Sequence, residues 1–110
     1  MGEEQQLGGA SQPVRRGPLA GVRVLDVTRF LPGPLAAQSL ADLGADVIKV
    51  ELPPGGDMSR HMDPQLGFES INRNKRSLCI DLHQEKGRAL MAQLVQQSDV
   101  LIEVSRPGAM

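Results

Sequence analysis

The residues with the clearest chemical potential sit in one polar run, Asn72-Arg73-Asn74-Lys75-Arg76-Ser77. Three cations within four positions, ahead of an apolar stretch, would suit a phosphate group through charge-assisted hydrogen bonds. The same run also reads as a solvated turn whose Asn side chains bond the backbone. Asp26 and Asp81 lie far apart in the chain, so nothing pairs them as acid and base, and capping or loop hydrogen bonding is their expected role. His61 and His83 have no Cys or His neighbours at metal-ligand spacing, which argues against zinc or another metal and makes them surface residues. Cys79 is the single cysteine, so no internal disulfide is available; between Leu78 and Ile80 it reads as an inert core residue. Pro53-Pro54-Gly55-Gly56-Asp57 reads either as a mobile flap, because paired glycines permit large backbone changes, or as a plain turn.

The elements that must position these residues follow from periodicity. Residues 22–27 (VRVLDV) are β-branched and mostly apolar, as a strand covered on both faces should be. The corner Pro32-Gly33-Pro34 then predicts a helix with Gly33 as N-cap, Pro34 in its first position and Ala36, Leu40 and Leu43 on its buried stripe, stopped by Gly44. Residues 47–51 form the next strand, completing a unit of about thirty residues, the size of a βαβ crossover. The Pro/Gly-rich stretch that follows, from Leu52 to Lys75, is too long for a simple connector and is suspected of function. Residues 77–82 read as a third strand with Leu78, Ile80 and Leu82 on one face, Leu90, Met91, Leu94 and Val95 as the stripe of a second helix, and residues 99–103 as a fourth strand. The alternation predicts an α/β fold: a Rossmann-like parallel sheet with flanking helices.

Such sheets bind ligands beyond the carboxyl ends of their strands. That rule selects residues 29–34, 52–56, 81–83 and 104–106. Arg29, Arg60, Arg73, Lys75, Arg76 and Arg106 near that edge would suit a ligand carrying several phosphates. The first corner, however, lacks the G-x-G-x-x-G turn of dinucleotide sites.

Composition narrows the function classes. A chain of 110 residues holds one domain at most and buries only about two-thirds of its unfolded surface. A net charge of −1 argues against a polyanion-binding face, and two Phe with no Trp or Tyr remove the usual base-stacking side chains, so nucleic acid is not an expected partner. No apolar run approaches bilayer length, so no membrane span is expected. A reducing, intracellular setting is expected, cytoplasmic or mitochondrial. Residues 1–18 lack periodicity and read as a flexible leader; Glu3 and Glu4 weigh against a transit peptide despite Arg15 and Arg16. Residues 19–110 carry the fold.

Three blocks, "GVRVLDVTRFLPGPLAAQSLADLGADVIKVELPPGGDMSR", "NRNKRSLCIDL" and "SDVLIEVSRPGAM", resemble the amino-terminal part of the class III coenzyme A (CoA) transferases, the group that also contains the α-methylacyl-CoA racemases. The resemblance implies that residues 19–110 are an amino-terminal, CoA-binding α/β segment of a larger fold, with CoA or acyl-CoA as substrate and no metal. It implies CoA contacts at Leu31 and Pro32, at Leu52, at Ile80, Asp81, Leu82 and His83, and at Val104, Ser105 and Arg106. The chain departs from the family pattern at Val104 and Ser105, where many members have Asn and an aromatic residue, and at Leu52, where some have Arg. The resemblance further implies a transferase that moves CoA from an acyl-CoA to a carboxylic acid through an aspartate nucleophile, or a racemase that abstracts a proton α to the thioester. In either case the catalytic residues match positions beyond Met110, so no catalytic residue is expected here and the chain is expected to be inactive alone. The family resemblance also implies an interlocked homodimer for the longer protein. A different reading is a truncated, non-catalytic nucleotide-binding or interaction module.

Overall fold

In the computed structural model, which describes residues 16–29, 32–61 and 68–105, the apolar stretches alternate as strands and helices. The order is β1 (Arg23–Val27), α1 (Pro32–Asp42), β2 (Asp46–Glu51), a 3-10 turn (Met58–His61), α2 (Phe68–Asn72), β3 (Lys75–Cys79), α3 (Glu85–Gln96) and β4 (Val100–Glu103). Every strand pair is parallel and the sheet order is β3-β2-β1-β4. The chain steps outward from β1 to β3 and then crosses back to lay β4 on the free side of β1. Connections therefore diverge between β1 and β4, the kind of place where open α/β sheets bind ligands.

Strand alternation sends successive side chains to opposite faces, and each face carries its own helix. Leu25, Ile48, Val50 and Ile80 pack with Met91 and Leu94 of α3, and Val27, Leu78 and Leu82 join the rim. Val24, Val47 and Ala45 pack with Ala37 and Ala41 of α1 on the other face. The expected shared face of Leu78, Ile80 and Leu82 is present, and α1 stops at Gly44, whose φ is 106°.

Several boundaries and stripes differ from the sequence reading. Helix α1 starts at Pro32, so Gly33 is not its N-cap but lies in the first turn, where an added Cβ would sit 2.4 Å from Thr28 Cβ. Its buried face is Ala37 and Ala41 with Gly33, Pro34 and Gln38, whereas Ala36 and Leu43 are exposed and Leu40 lies at the margin. Small alanines suit close packing on β1 and β2, so the buried stripe is rotated by one residue, with Leu40 packed at the edge of the cluster and Leu43 outside. In α3 only Met91 and Leu94 turn inward, while Leu90 and Val95 are exposed. Strand β3 runs from Lys75 to Cys79 rather than over 77–82. Ile80 N–H still donates to Glu51 O at 2.9 Å, after which the chain turns away toward α3. Cys79 is exposed, not core: the alternation that buries Ile80 puts Cys79 on the opposite face of an edge strand. His61 and His83 are exposed, as expected.

Gly87 separates local propensity from packing. Alanine in a helix interior is favoured over glycine by about 1 kcal/mol. Here an added Cβ would meet the carbonyl oxygen of Asp81 at 1.9 Å, and that neighbour is backbone, which cannot swing aside. Gly87→Ala is expected to lower stability by about 1–3 kcal/mol, the range for overpacking. Urea unfolding measures it; a raised midpoint with unchanged slope would refute the packing account.

Candidate functional site

The carboxyl edge of the sheet holds a cleft of about 350 Å³. Val27, Thr28 and Arg29 at the end of β1 line it, with Val50, Glu51, Leu52, Gly56 and Asp57 from β2 and its loop, Leu82 and His83 between β3 and α3, and Ser105 after β4. Four separate strand ends thus contribute, as the switch-point rule anticipates. Gly56 reaches this wall with φ 75°, and a Cβ there would lie 2.3 Å from Glu51 Oε1, so glycine is required by both conformation and space.

The wall is shaped by a polar layer on the α1 face of the sheet. Along β1 and β2 the apolar residues Val24 and Val47 give way, two positions on, to Asp26 and Lys49, which are neighbours in register. Asp26 accepts hydrogen bonds from Thr28 N–H (2.9 Å) and Thr28 Oγ1, and from Lys75 Nζ (2.6 Å). Lys75 Nζ also donates to Pro34 O and Asn72 Oδ1, so all three of its protons are used. Lys49 Nζ donates to Thr28 O at 3.1 Å and pairs with Asp57 Oδ2 at 2.8 Å. The side chains of both pairs are at most 2% exposed. Lys49 therefore ties the loop after β1 to the loop after β2, the two walls of the cleft.

A third pair closes the layer. Arg60 forks onto Glu51, Nε to Oε1 at 2.7 Å and Nη2 to Oε2 at 2.6 Å, while its guanidinium lies 3.8 Å from the Phe68 ring centroid. Glu51 also accepts from Ser77 Oγ and from Asp57 N–H at 2.8 Å. Burial raises the Glu51 pKa, but the hydrogen bonds from Arg60, Ser77 and Asp57 N–H outweigh it and leave the carboxyl at about 2. Asp57 follows the same logic: burial pushes its pKa up, while Lys49 and Ser59 bring it below the usual range. Lys75 goes the other way, because burial lowers its pKa more than Asp26 restores it.

Of the expected contact residues, Leu52, Leu82, His83 and Ser105 line the cleft. Ile80 is buried against α3, Asp81 accepts the His83 N–H at 3.0 Å, Pro32 begins α1 and Val104 is exposed. Leu31 and Arg106 lie outside the described residues. Among the expected cations, Arg29 lines the cleft and Arg60 stands behind it. Arg73, Lys75 and Arg76 do not stand at that edge: they precede or begin β3 and pair with Asp42, Asp26 and Asp46. The polar run is thus a structural turn rather than a phosphate grip. The far end of the Pro53–Asp57 turn is anchored by Asp57, and the Pro53-Pro54 bond is cis. Sequence reasoning missed Thr28, Glu51 and Asp57 as cleft residues. The available signal was the intrusion of Asp26, Lys49 and Glu51, at alternate positions, into otherwise apolar strands. Among the described residues no helix is long and apolar enough to cross a membrane, and no group of three or more His, Cys, Asp or Glu could hold a metal ion.

Removing one partner of a buried pair leaves an uncompensated charge, at a cost of about 3–5 kcal/mol. Lys75→Met is expected to destabilise by that amount in urea unfolding, and adding Asp26→Asn should recover part of the loss; additive losses would contradict the pairing. Acid stability tests Glu51. Its folded pKa lies below the ordinary value of 4.5, so its contribution is complete above about pH 4.5 and fades as pH falls toward 2. The contribution is no more than about 3 kcal/mol, less after solvent screening of Arg60, which is 37% exposed. Glu51→Gln should therefore flatten stability against pH across that window, and an unchanged slope would exclude the role.

The described geometry and sequence have relatives of known family. CoA-transferase family III matches residues 19–110. A succinyl-CoA--L-malate CoA-transferase alpha subunit of Chloroflexus aurantiacus is 48% identical over 100 residues, covering 84% of this chain and 23% of that protein. The succinyl-CoA:glutarate CoA-transferase of Homo sapiens is 44% identical over 97 residues, covering 83% and 22%. The crystal structure of the hypothetical protein Rv3272 from Mycobacterium tuberculosis superposes with a TM-score of 0.81 at 45% identity, over 87% of this chain and 27% of that one. The chain spans about a quarter of the length of the curated relatives it matches. With a family match over nearly all of the described residues and a matching parallel α/β sheet, this chain belongs to CoA-transferase family III.

Proposed function

We propose that residues 19–110 form the amino-terminal, CoA-binding segment of a class III CoA-transferase, which moves CoA between an acyl-CoA and a carboxylic acid. The observation that carries this reading is the convergence of Leu52, Leu82, His83 and Ser105, from three different strand ends, on one cleft at the carboxyl edge. The cleft lies at the low end of the volume range of small-molecule sites, which suits one portion of CoA rather than the whole molecule. Pro32, Ile80, Asp81 and Val104 are proposed to contribute through backbone, and Leu31 and Arg106, which lie outside the described residues, are proposed as further contacts. The names of the relatives, which include transferases for malate and for glutarate, favour transfer over racemisation and make short dicarboxylic acids the acceptors to try first. The proposed role of residues 19–110 is CoA binding, and none of them is proposed as the family's aspartate nucleophile. In an interlocked homodimer of the longer protein, the exposed Leu90, Val95, Val100 and Leu101 would be covered.

Calorimetric titration of the 110-residue chain with CoA tests the reading. Saturable binding is expected, and Ser105→Trp, which fills the cleft, should weaken it by at least about tenfold through loss of the ligand's volume. A chain that unfolds cooperatively in urea yet takes up no CoA would overturn the proposal.

A further inference from the structure

The charges around the cleft do not balance locally. Glu51 and Asp57 line it, but each already has a cation: Arg60 for Glu51 and Lys49 for Asp57. Arg23, Arg73, Lys75 and Arg76 are likewise committed to Asp46, Asp42 and Asp26. Arg29 also lines the cleft and is exposed, and its side chain makes no hydrogen bond or ion pair with any of the described residues. Its backbone position is nevertheless fixed, because the preceding Thr28 has its N–H held by Asp26 and its carbonyl held by Lys49. An uncommitted guanidinium on an anchored strand end, facing a cleft whose carboxylates are neutralised, is built to receive an anion.

We propose that Arg29 takes an oxyanion of the ligand in this cleft, a phosphate or a carboxylate. The inference rests on the reading of the cleft as a CoA-transferase site and adds the side chain that supplies its charge recognition. The oxyanion could come from the 3′-phosphate or the pyrophosphate of CoA, or from the acid that exchanges with it.

The test is calorimetric titration of the 110-residue chain, Arg29→Gln and Arg29→Lys with CoA, 3′-dephospho-CoA, pantetheine and succinate, at two salt concentrations, with circular dichroism and urea unfolding as controls for the fold. Arg29→Gln should weaken binding of the anion-bearing ligand by at least about tenfold and flatten its salt dependence, while Arg29→Lys keeps part of the affinity. A loss for CoA that also abolishes its advantage over 3′-dephospho-CoA assigns the 3′-phosphate. An equal loss for both, with pantetheine unaffected, assigns the pyrophosphate. A loss for succinate alone assigns the carboxylate. Wild-type binding of CoA and succinate that Arg29→Gln leaves unchanged would overturn the inference and leave the cleft reading standing. Wild-type binding of neither would overturn both.

Discussion

Two ion pairs buried on one face of the sheet, Asp26–Lys75 and Lys49–Asp57, constrain everything else at the carboxyl edge. A buried charge is costly unless paired and fully hydrogen-bonded, so these four side chains must find particular partners at particular distances. Lys75 meets that demand only if α1 delivers Pro34 O and α2 delivers Asn72. Lys49 meets it by bonding Thr28 O and Asp57. Helix, loop and strand are therefore located by the same few protons. An apolar layer of equal volume would serve stability as well or better. The contribution of the pairs is geometric, since Thr28 O and Asp57 can both reach Lys49 Nζ in very few arrangements of the two loops.

That geometry explains why the cleft has a definite shape although its walls are loops. The α3 face of the sheet is apolar toward the carboxyl ends of the strands, with Leu25, Ile48, Val50 and Ile80 packed on Met91 and Leu94, and carries the Arg23–Asp46–Arg76 cluster only at its amino end. The α1 face is apolar only toward the amino ends of the strands, where Val24 and Val47 meet Ala37 and Ala41, and becomes polar toward the carboxyl ends. Fixed dipoles and paired charges thus collect where a ligand would enter. Each cleft carboxylate is neutralised from behind, Glu51 by Arg60 and Asp57 by Lys49, whereas Arg29 lines the cleft with no side-chain partner among the described residues.

The sheet order adds the last condition. Placing β4 beside β1 opens the divergence point between them, and the strand ends on both sides of that point supply the cleft. The same order leaves β4 at an edge with Val100 and Leu101 exposed, so stabilising contacts are concentrated around β1 and β2.

The sequence by itself determined the strand and helix alternation, the parallel α/β class, the apolar faces of β1, β2 and the chain around Ile80, and the edge at which a ligand site would form. Those properties are written in periodicities of two and of 3.6 residues and in turn chemistry, all local in the chain. Only the tertiary structure decided which cations are available. Lys75 and Arg76 look like a phosphate grip until Asp26 and Asp46, 49 and 30 residues earlier, are brought against them. It also decided that Ala37 and Ala41, not Ala36 and Leu43, face the sheet, because the closeness of helix and strands depends on both partners. Cys79 and Gly87 follow the same rule. Whether a residue is buried, paired or crowded depends on neighbours that pattern alone does not name.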